Sequence, residues 1–261
     1  MAVLLTGQKT VAVAGALVIA LAVAAGLGWL QGRGVFSDPG LAGPRRAKGD
    51  QGLAARLDAS PDRPAIVTLL GASLSARGAW PDRLAEGLSR CRPGGVTVRR
   101  VARVGMSSRW GRAQIDRALR PDDGAPPDIL IVHFTGNDAA LHRGVSLAES
   151  EANHTAILDE AQAAGVLVYL ALLSPAEGVR GWARPGQAGY AALYRHLAAR
   201  SGAGLIDALP LWHTVPRARR KAWLPDGLHP TDTAHAAITE PVVGNAIAKA
   251  LTQKFCPETP Q

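Results

Sequence analysis

The stretch Ala65-Ile66-Val67-Thr68-Leu69-Leu70-Gly71-Ala72-Ser73-Leu74 decides the fold of this 261-residue chain. Its run of apolar and β-branched residues leads straight into Gly-x-Ser. This pattern predicts a buried parallel strand that turns sharply and presents a serine at its carboxyl end. Ligands and catalytic groups of open α/β sheets collect at that edge. Far downstream, Asp226-Gly227-Leu228-His229-Pro230 supplies a carboxylate and an imidazole, the other ingredients of acyl transfer.

Strand and helix patterns alternate from Pro64 onward. The predicted strands are Ala65–Leu70, Val96–Val101, Asp128–Phe134, Val166–Leu172 and Gly204–Ile206. The predicted helices are Trp80–Cys91, Arg109–Leu119, Leu147–Ala164, Gly189–Arg200 and Thr231–Leu251. Such alternation predicts a parallel sheet covered by helices on both faces. We therefore expect an α/β fold, a three-layer α/β/α sandwich with a five-stranded, mainly parallel, flavodoxin-like sheet.

The segments around this domain differ from it in composition. After a short N-terminal segment, 1–10, the uncharged run 11–30 is long enough to span a bilayer core. It predicts a retained signal-anchor helix or, alternatively, a signal peptide cleaved near Ala22-Val23-Ala24. The anchor is favoured because the apolar run continues past those small residues to Trp29-Leu30. Residues 31–63, rich in Gly, Pro, Ala and charge, are expected to form a tether. The folded domain is expected over 64–254, followed by a C-terminal tail, 255–261.

The net charge of +8 and the sequence pI near 10.2 raise the question of a nucleic-acid partner. The basic residues are mostly scattered and aromatic residues make up only 5% of the chain, so no stacking platform accompanies them. We expect no nucleic-acid binding and instead a basic surface beside an anionic membrane, reached through the N-terminal segment. The basic residues that follow the apolar run would place the domain in the cytoplasm. The cysteines argue against that orientation.

The chain has two cysteines, Cys91 and Cys256. In a flavodoxin-type sheet the first and last helices run parallel on the same face, so their carboxyl ends can approach within the roughly 7 Å between Cα atoms that a disulfide permits. Two unrelated buried thiols are the alternative. A disulfide indicates an oxidising compartment. We therefore expect the domain outside the cytoplasm, in the periplasm or at the cell exterior, membrane-anchored or secreted if the N-terminal segment is cleaved.

Four short blocks resemble, in order, those of the SGNH/GDSL hydrolase family: Gly71-Ala72-Ser73-Leu74, Gly105, Gly136-Asn137-Asp138 and Asp226-x-x-His229. The resemblance covers essentially 64–251 and is greatest to bacterial single-domain esterases, which include thioesterase/lysophospholipase members. Two positions depart from the family pattern. Ala72 stands where the family most often has Asp, and Thr135 stands where many members have Gly.

The resemblance implies a role for each block. Ser73 would be the nucleophile, His229 the general base and Asp226 the carboxylate that orients the imidazole. The oxyanion hole would consist of the backbone N–H groups of Ser73 and Gly105 and the side-chain amide of Asn137. Each residue alone is also compatible with an ordinary turn. The seven histidines show no metal-ligand spacing, so we expect neither a metal nor a cofactor.

Substrate specificity is expected to come from loops at the same edge. Arg180, Trp182 and Arg184 form a candidate substrate rim for an anionic head group or acidic sugar, although a plain exposed loop is the alternative. Three functions stay open. The chain is a serine esterase on lipid or small acyl esters, including thioesters, an O-acetylesterase or acyltransferase on envelope polysaccharide or peptidoglycan, or a non-catalytic binding domain. The oligomeric state is not indicated by the sequence.

Overall fold

The computed structural model describes residues 18–32, 53, 57, 60, 62–122, 124–253, 255 and 256. Its centre is a five-stranded, all-parallel sheet in the order β2-β1-β3-β4-β5. The strands are β1, Ala65–Gly71; β2, Val96–Ala102; β3, Ile129–His133; β4, Leu167–Leu172; and β5, Gly204–Asp207. The predicted flavodoxin-like, three-layer α/β/α fold is thereby confirmed.

Three longer helices lie close to their predicted positions: Trp80–Ser89, Leu147–Ala163 and Gln187–Ser201. The predicted helix Arg109–Leu119 is two short helices, Ser108–Ala113 and Ile115–Leu119, with a break at Gln114. Further short helices, which the sequence patterns did not predict, are Ser73–Ala76, Thr135–Asp138, Leu141–Arg143, Gly178–Trp182, Leu209–Thr214 and Arg217–Trp223. The predicted helix Thr231–Leu251 is divided into a short helix, Asp232–Ala234, and a longer last helix, Glu240–Ala250. A π-helical turn, His235–Thr239, leads into the last helix.

The two faces of the sheet carry separate apolar cores. On one face, Val67 and Leu69 of β1 pack with residues of the first and last long helices. On the other face, Leu70 packs with residues of the helices Leu147–Ala163 and Gln187–Ser201. Because β1, β3 and β4 are buried on both faces, their sequences read as continuous apolar runs rather than alternating ones.

The carboxyl ends of the first and last long helices are joined covalently. Cys91 and Cys256 form a disulfide with 6.1 Å between their Cα atoms. The preceding residue, Phe255, lies between the two helices, because a Cβ atom on Gly87 or Gly244 would come within 2.7 Å of its ring. The beginning of the predicted C-terminal tail is therefore part of the packed domain.

Two residues of the predicted tether also belong to the core. Leu53 and Leu57 are buried in the same cluster as Val67. Their spacing of four residues places both on one side of a helix, a signal that the Gly- and Pro-rich composition of 31–63 concealed. The tether prediction is wrong for these two positions, since both side chains are fixed against the domain.

The N-terminal predictions fall largely on residues that the structure does not describe. Residues 1–17, and with them the first part of the predicted span 11–30, lie outside the described residues, as do 33–52 of the predicted tether and 257–261 of the tail. Within the described part, residues 18–32 are helical. No helix among the described residues is both long and apolar enough to cross a bilayer.

Candidate active site

The carboxyl ends of the three neighbouring strands β2, β1 and β3 lie at one level. Gly71, the last residue of β1, is in register with Ala102 of β2 and His133 of β3. The segments that leave these strands carry Ser73, Gly105 and Asn137 respectively. The register therefore brings three of the predicted site residues to one edge of the sheet.

Ser73 is the first residue of a one-turn helix that starts directly after β1. The turn is tight, since a Cβ atom on Gly71 would overlap the side chain of Ser75. The indole Nε1–H of buried Trp80 donates a 2.7 Å hydrogen bond to the carbonyl oxygen of Leu74 and holds the other side of the turn. Gly71 and Trp80 thus fix the position of Ser73.

Ser73, His229 and Asp226 form a continuous hydrogen-bonded chain. His229 Nε2 lies 2.9 Å from Ser73 Oγ, and His229 Nδ1 lies 2.6 Å from Asp226 Oδ2. A carboxylate only accepts hydrogen bonds, so the proton of the neutral ring resides on Nδ1. Nε2 is then left to accept the Ser73 proton.

In the loop that carries Asp226 and His229, the Asp226 carboxylate binds backbone groups of the same loop. Asp226 Oδ1 accepts hydrogen bonds from the backbone N–H groups of Leu228, at 2.9 Å, and His229, at 2.8 Å. Gly227 between them has φ of +76°, a conformation that glycine adopts most readily. Partial burial of the Asp226 carboxyl group opposes its ionisation, but the hydrogen bonds from His229 and Leu228 outweigh burial and lower its pKa to about 2. Asp226 is therefore a carboxylate at neutral pH.

Gly105 and Asn137 are held near each other by a hydrogen bond between their segments. Gly105 has φ of +77° and follows β2. The side-chain amide of Asn137, a residue only 9% exposed, donates a 2.8 Å hydrogen bond to the carbonyl oxygen of Met106, the residue after Gly105. An amide has two N–H donors, so this bond orients the group and leaves one donor for a ligand.

A buried polar network supports the segment that contains Asn137. Asp138, which is fully buried, accepts hydrogen bonds from the backbone N–H of Ser108 at 2.8 Å and from the hydroxyl of Ser150 at 2.6 Å. The hydroxyl oxygen of Tyr194 accepts from the backbone N–H of Phe134 at 2.9 Å and lies 2.8 Å from His154 Nε2. The supports come from three helices that are distant in sequence, and the sequence patterns gave no sign of them.

Two spaces open beside Ser73. A cleft of about 240 Å³ is lined by Ser73, Leu74, Arg77, Gly78, His229, Pro230, Thr231, Asp232 and His235. A smaller space of about 10 Å³ is lined by Ala72, Ser73, Leu74, His133, Phe134, Gly136, Asn137 and Leu228. Ser73 therefore lies between the His229 side and the Asn137 side, as a nucleophile between its base and an oxyanion-binding amide would.

Two lining histidines had no predicted role. Burial lowers the pKa of His235 and of His133 to about 4, so both rings are neutral at physiological pH. His235 stacks on Trp80 with 5.6 Å between ring centroids, and Nδ1 of His133 is buried without a hydrogen-bond partner. Among the residues that the structure describes, no group of three His, Cys, Asp or Glu side chains could hold a metal ion.

The predicted substrate rim lies on and after the short helix Gly178–Trp182. Arg180 is exposed and Trp182 is 81% exposed, but neither lines the cleft beside Ser73. Arg184 is only 3% exposed, and its Nε and Nη1 donate hydrogen bonds to the carbonyl oxygens of Gly136, at 2.6 Å, and Arg180, at 3.0 Å. Arg184 therefore braces the Asn137 segment from behind instead of standing on an open rim.

Comparison with known proteins places this geometry in context. The sequence model of the GDSL-like lipase/acylhydrolase family matches residues 66–237. No curated protein sequence matches the chain. Several solved structures share its fold. A lipase/acylhydrolase from Enterococcus faecalis has a TM-score of 0.59 at 19% identity and covers 75% of this chain and 100% of its own.

Two esterases are also similar in structure. AlinE4, an SGNH-hydrolase family esterase, has a TM-score of 0.50 at 25% identity, over 72% of this chain and 97% of its own. A variant of Axe2, an acetyl xylan esterase from Geobacillus stearothermophilus, has a TM-score of 0.56 at 15% identity, over 76% of this chain and 100% of its own.

Proposed function

The chain belongs to the GDSL-like lipase/acylhydrolase family and is a carboxylic ester hydrolase of that family, and we propose that it is a serine esterase acting through an acyl-enzyme on Ser73. The observation that carries the proposal is the unbroken chain of hydrogen bonds from Ser73 Oγ through His229 to Asp226. A serine hydroxyl is a weak nucleophile unless a base removes its proton, and here the base lies at 2.9 Å.

In the first half of the reaction, Ser73 Oγ attacks the carbonyl carbon of the ester and its proton passes to His229 Nε2. The negative charge that develops on the carbonyl oxygen is stabilised by the backbone N–H groups of Ser73 and Gly105 and by the Asn137 amide. The ester bond then breaks, and the imidazolium returns its proton to the leaving alcohol or thiol. Ionised Asp226 stabilises the imidazolium between these two steps.

In the second half, His229 removes a proton from water as the water oxygen attacks the acyl-Ser73 carbonyl carbon. Collapse of this second tetrahedral intermediate releases the carboxylic acid, and the imidazolium returns its proton to Ser73 Oγ. Ala72, in place of the usual Asp, does not interrupt this sequence, because the proton moves only between Ser73, His229 and the substrate. The aligned triad is also the reason that we rank a non-catalytic binding role below catalysis.

The size of the site favours short acyl groups. The cleft of about 240 Å³ beside Ser73 is smaller than the roughly 300–1,000 Å³ typical of pockets for larger ligands. The space toward Asn137 is smaller still. Removal of O-acetyl groups from a glycan of the cell envelope is therefore a second candidate function, with acyl transfer to an acceptor other than water as its variant.

The test compares the full chain with its Ser73→Ala variant on p-nitrophenyl esters from acetate to dodecanoate. We expect turnover of acetate and butyrate, loss of that turnover in Ser73→Ala, and a steep decline for longer chains. Equal turnover by Ser73→Ala would overturn the proposed nucleophile. A maximum at long chains would exclude the O-acetylesterase alternative, and faster release of nitrophenol with an added sugar acceptor would point to acyl transfer.

We propose an extracytoplasmic location for the folded domain. The Cys91–Cys256 disulfide supports it, because such bonds persist in oxidising compartments and are rare in reducing ones. The predicted role of 11–30, as an anchor or as a cleaved signal, remains a prediction. The disulfide that supports this location is tested by titration of free thiols in denatured protein that has been purified without reductant. No free thiol is expected, whereas two free thiols would remove the support.

A further inference from the structure

Three arginines lie against glycines of the site loops. A Cβ atom on Gly105 would lie 2.7 Å from Nη2 of Arg143. The Nε of Arg184 donates to the carbonyl oxygen of Gly136, and Cβ of Arg180 lies 3.7 Å from the position of a Cβ atom on Gly227. Gly105 and Gly136 belong to the oxyanion segments and Gly227 to the Asp226–His229 loop. Three cations, from two different loops, therefore lie against the segments that carry the oxyanion groups and the Asp226–His229 pair, outside the two spaces that Ser73 lines.

The residues that the structure describes provide no carboxylate partner for these three guanidinium groups. Elsewhere in the domain arginines do pair, as in Arg63–Asp128 and Arg195–Asp207. Two of these arginines have buried polar groups that no carboxylate contacts directly. The Nε of Arg143 is buried with no acceptor, and the buried guanidinium of Arg184 has only carbonyl oxygens. Buried cations without a directly paired carboxylate are energetically costly, and a bound anion would relieve that cost.

Electrostatic effects agree with this geometry. The pKa of Arg184 is lowered by burial first and then by the charges of Arg180 and Arg143, while the Asp226 carboxylate opposes this effect and does not outweigh it. The pKa of His142, next to Arg143 in the chain, is lowered by burial and then by Arg143, Arg184 and Arg180. Arg184 and His142 are therefore both influenced by the positive charge of the same cluster of arginines.

Resting on the proposed esterase function, we infer that the preferred ester carries an anionic group, a carboxylate or phosphate, which extends out of the cleft and is bound by Arg143, against Gly105, and Arg180, against Gly227. Arg184 is a positioning residue, because it holds the carbonyl oxygens of Gly136 and Arg180 and adds its charge from behind. Guanidinium groups suit this task, since they donate paired hydrogen bonds to planar or tetrahedral oxyanions.

The experiment uses two pairs of esters that differ mainly in one negative charge. The p-nitrophenyl esters of butyric acid and of succinic acid, as its monoester, have acyl groups of four carbons and differ in a terminal carboxylate. Phenyl acetate and 3-acetoxybenzoate place the charge on the alcohol side instead. We expect the full chain to show a higher kcat/KM for the anionic member of at least one pair, and the pair that responds shows which side of the ester the arginines face.

The variants test whether the arginines cause that preference. Arg143→Gln/Arg180→Gln should lower the anionic-to-neutral ratio of kcat/KM by about tenfold, the loss expected for a hydrogen bond to a charged group. Arg143→Lys/Arg180→Lys keeps both charges and should retain part of the ratio. Arg117→Gln/Arg200→Gln removes two exposed charges away from the cleft and should leave the ratio unchanged. A neutral preference in both pairs, or an unchanged ratio in the Gln variant, overturns the inference.

A binding measurement separates this inference from the proposed function. If the full chain hydrolyses none of the four esters, the esterase proposal fails, but the arginines can still be tested. Calorimetric titration of Ser73→Ala with 3-acetoxybenzoate and with monoethyl succinate measures binding without turnover. At least one of these two ligands should bind to Ser73→Ala about tenfold more tightly than it binds to Ser73→Ala that also carries Arg143→Gln/Arg180→Gln. Equal binding to both proteins contradicts the inference.

Discussion

The two loops that flank Ser73 are built by different means. The Asp226–His229 loop orients its catalytic side chains with its own residues, because one carboxylate accepts two backbone N–H groups and orients the ring three residues later. Its backbone is also held from outside, by hydrogen bonds from the Glu177 N–H to the Gly227 carbonyl oxygen and from the Ser174 hydroxyl to the Leu228 carbonyl oxygen. The Asn137 loop depends on distant helices, which supply Ser108, Ser150 and Tyr194. Side chains that are oriented within one loop can be recognised in a short motif. A loop with remote supports needs the whole fold, and changes far from the reaction centre can disturb it.

The largest effect should come from a change in the Asp226–His229 loop. In Asp226→Asn the amide oxygen can still accept the two backbone N–H groups, but its NH2 group faces His229 Nδ1 and favours the wrong tautomer. We expect kcat to fall by about 10⁴-fold, the loss typical of this change in a serine triad, with KM little affected. Steady-state kinetics on p-nitrophenyl acetate measures it. A loss below tenfold would mean that Asp226 does not orient the base, and the exposed Asp116→Asn serves as the control.

A smaller effect is expected when the supported loop loses its buried carboxylate. In Asp138→Asn one of the hydrogen bonds from Ser108 and Ser150 meets an amide NH2 instead of an oxygen. The free energy of unfolding should fall by about 1.5–3 kcal/mol and kcat by about 10–100-fold, because the Asn137 amide is displaced from the oxyanion. Urea unfolding and kinetics together check this. Reduced stability with unchanged kcat would show that the network supports the fold but not the oxyanion hole.

Removal of a single hydroxyl farther from Ser73 should have a milder effect. Tyr194→Phe keeps the ring but leaves the backbone N–H of Phe134 and Nε2 of His154 without their partner. We expect a loss of about 1–3 kcal/mol in the free energy of unfolding and a fall of only a few-fold in kcat. Tyr190→Phe is the matched comparison. Tyr190 lies in the same helix as Tyr194, and its hydroxyl donates a hydrogen bond to the carbonyl oxygen of Val145. Equal kcat losses in both variants would contradict a specific link from Tyr194 to the Asn137 loop.

The pH dependence of stability should give the smallest effect. Against the opposing effect of burial, hydrogen bonds lower the folded-state pKa of Asp226 from 3.8 to about 2. The ionised carboxylate therefore contributes its whole stabilisation of the folded state above about pH 4. That contribution is lost as the pH falls through 2. The stability difference between the wild type and Asp226→Asn should therefore shrink between pH 4 and pH 2, as followed by chemical denaturation. A constant difference over that range would show that the carboxylate is not stabilised in the folded state.

The same contrast explains what could be predicted from the sequence. The run before Ser73 predicted β1 because a strand buried on both faces is continuously apolar. The positions of Asp226 and His229 follow from a three-residue spacing within one turn. The pairing of Cys91 with Cys256 was expected from strand order, since that order places the first and last helices side by side.

Features that depend on remote contacts were missed. Ser150 and His154 are polar residues on a helix, and nothing in their spacing indicates that they are buried against Asp138 and Tyr194. Arg143 lies against Gly105 at a sequence separation of 38 residues, a contact that no local pattern encodes. The break at Gln114 was likewise invisible, because the apolar spacing continues through it.

The most direct test of the central claim is covalent labelling of the full chain with diethyl p-nitrophenyl phosphate. An activated Ser73 would attack phosphorus and expel p-nitrophenolate, leaving a diethylphosphoryl group on Oγ. We expect one adduct per chain, located on Ser73 by peptide mass spectrometry, with esterase activity lost in proportion and no adduct in Ser73→Ala or His229→Gln. A fully active protein with Ser73 unmodified, or an adduct on another residue that accounts for the lost activity, would contradict the account.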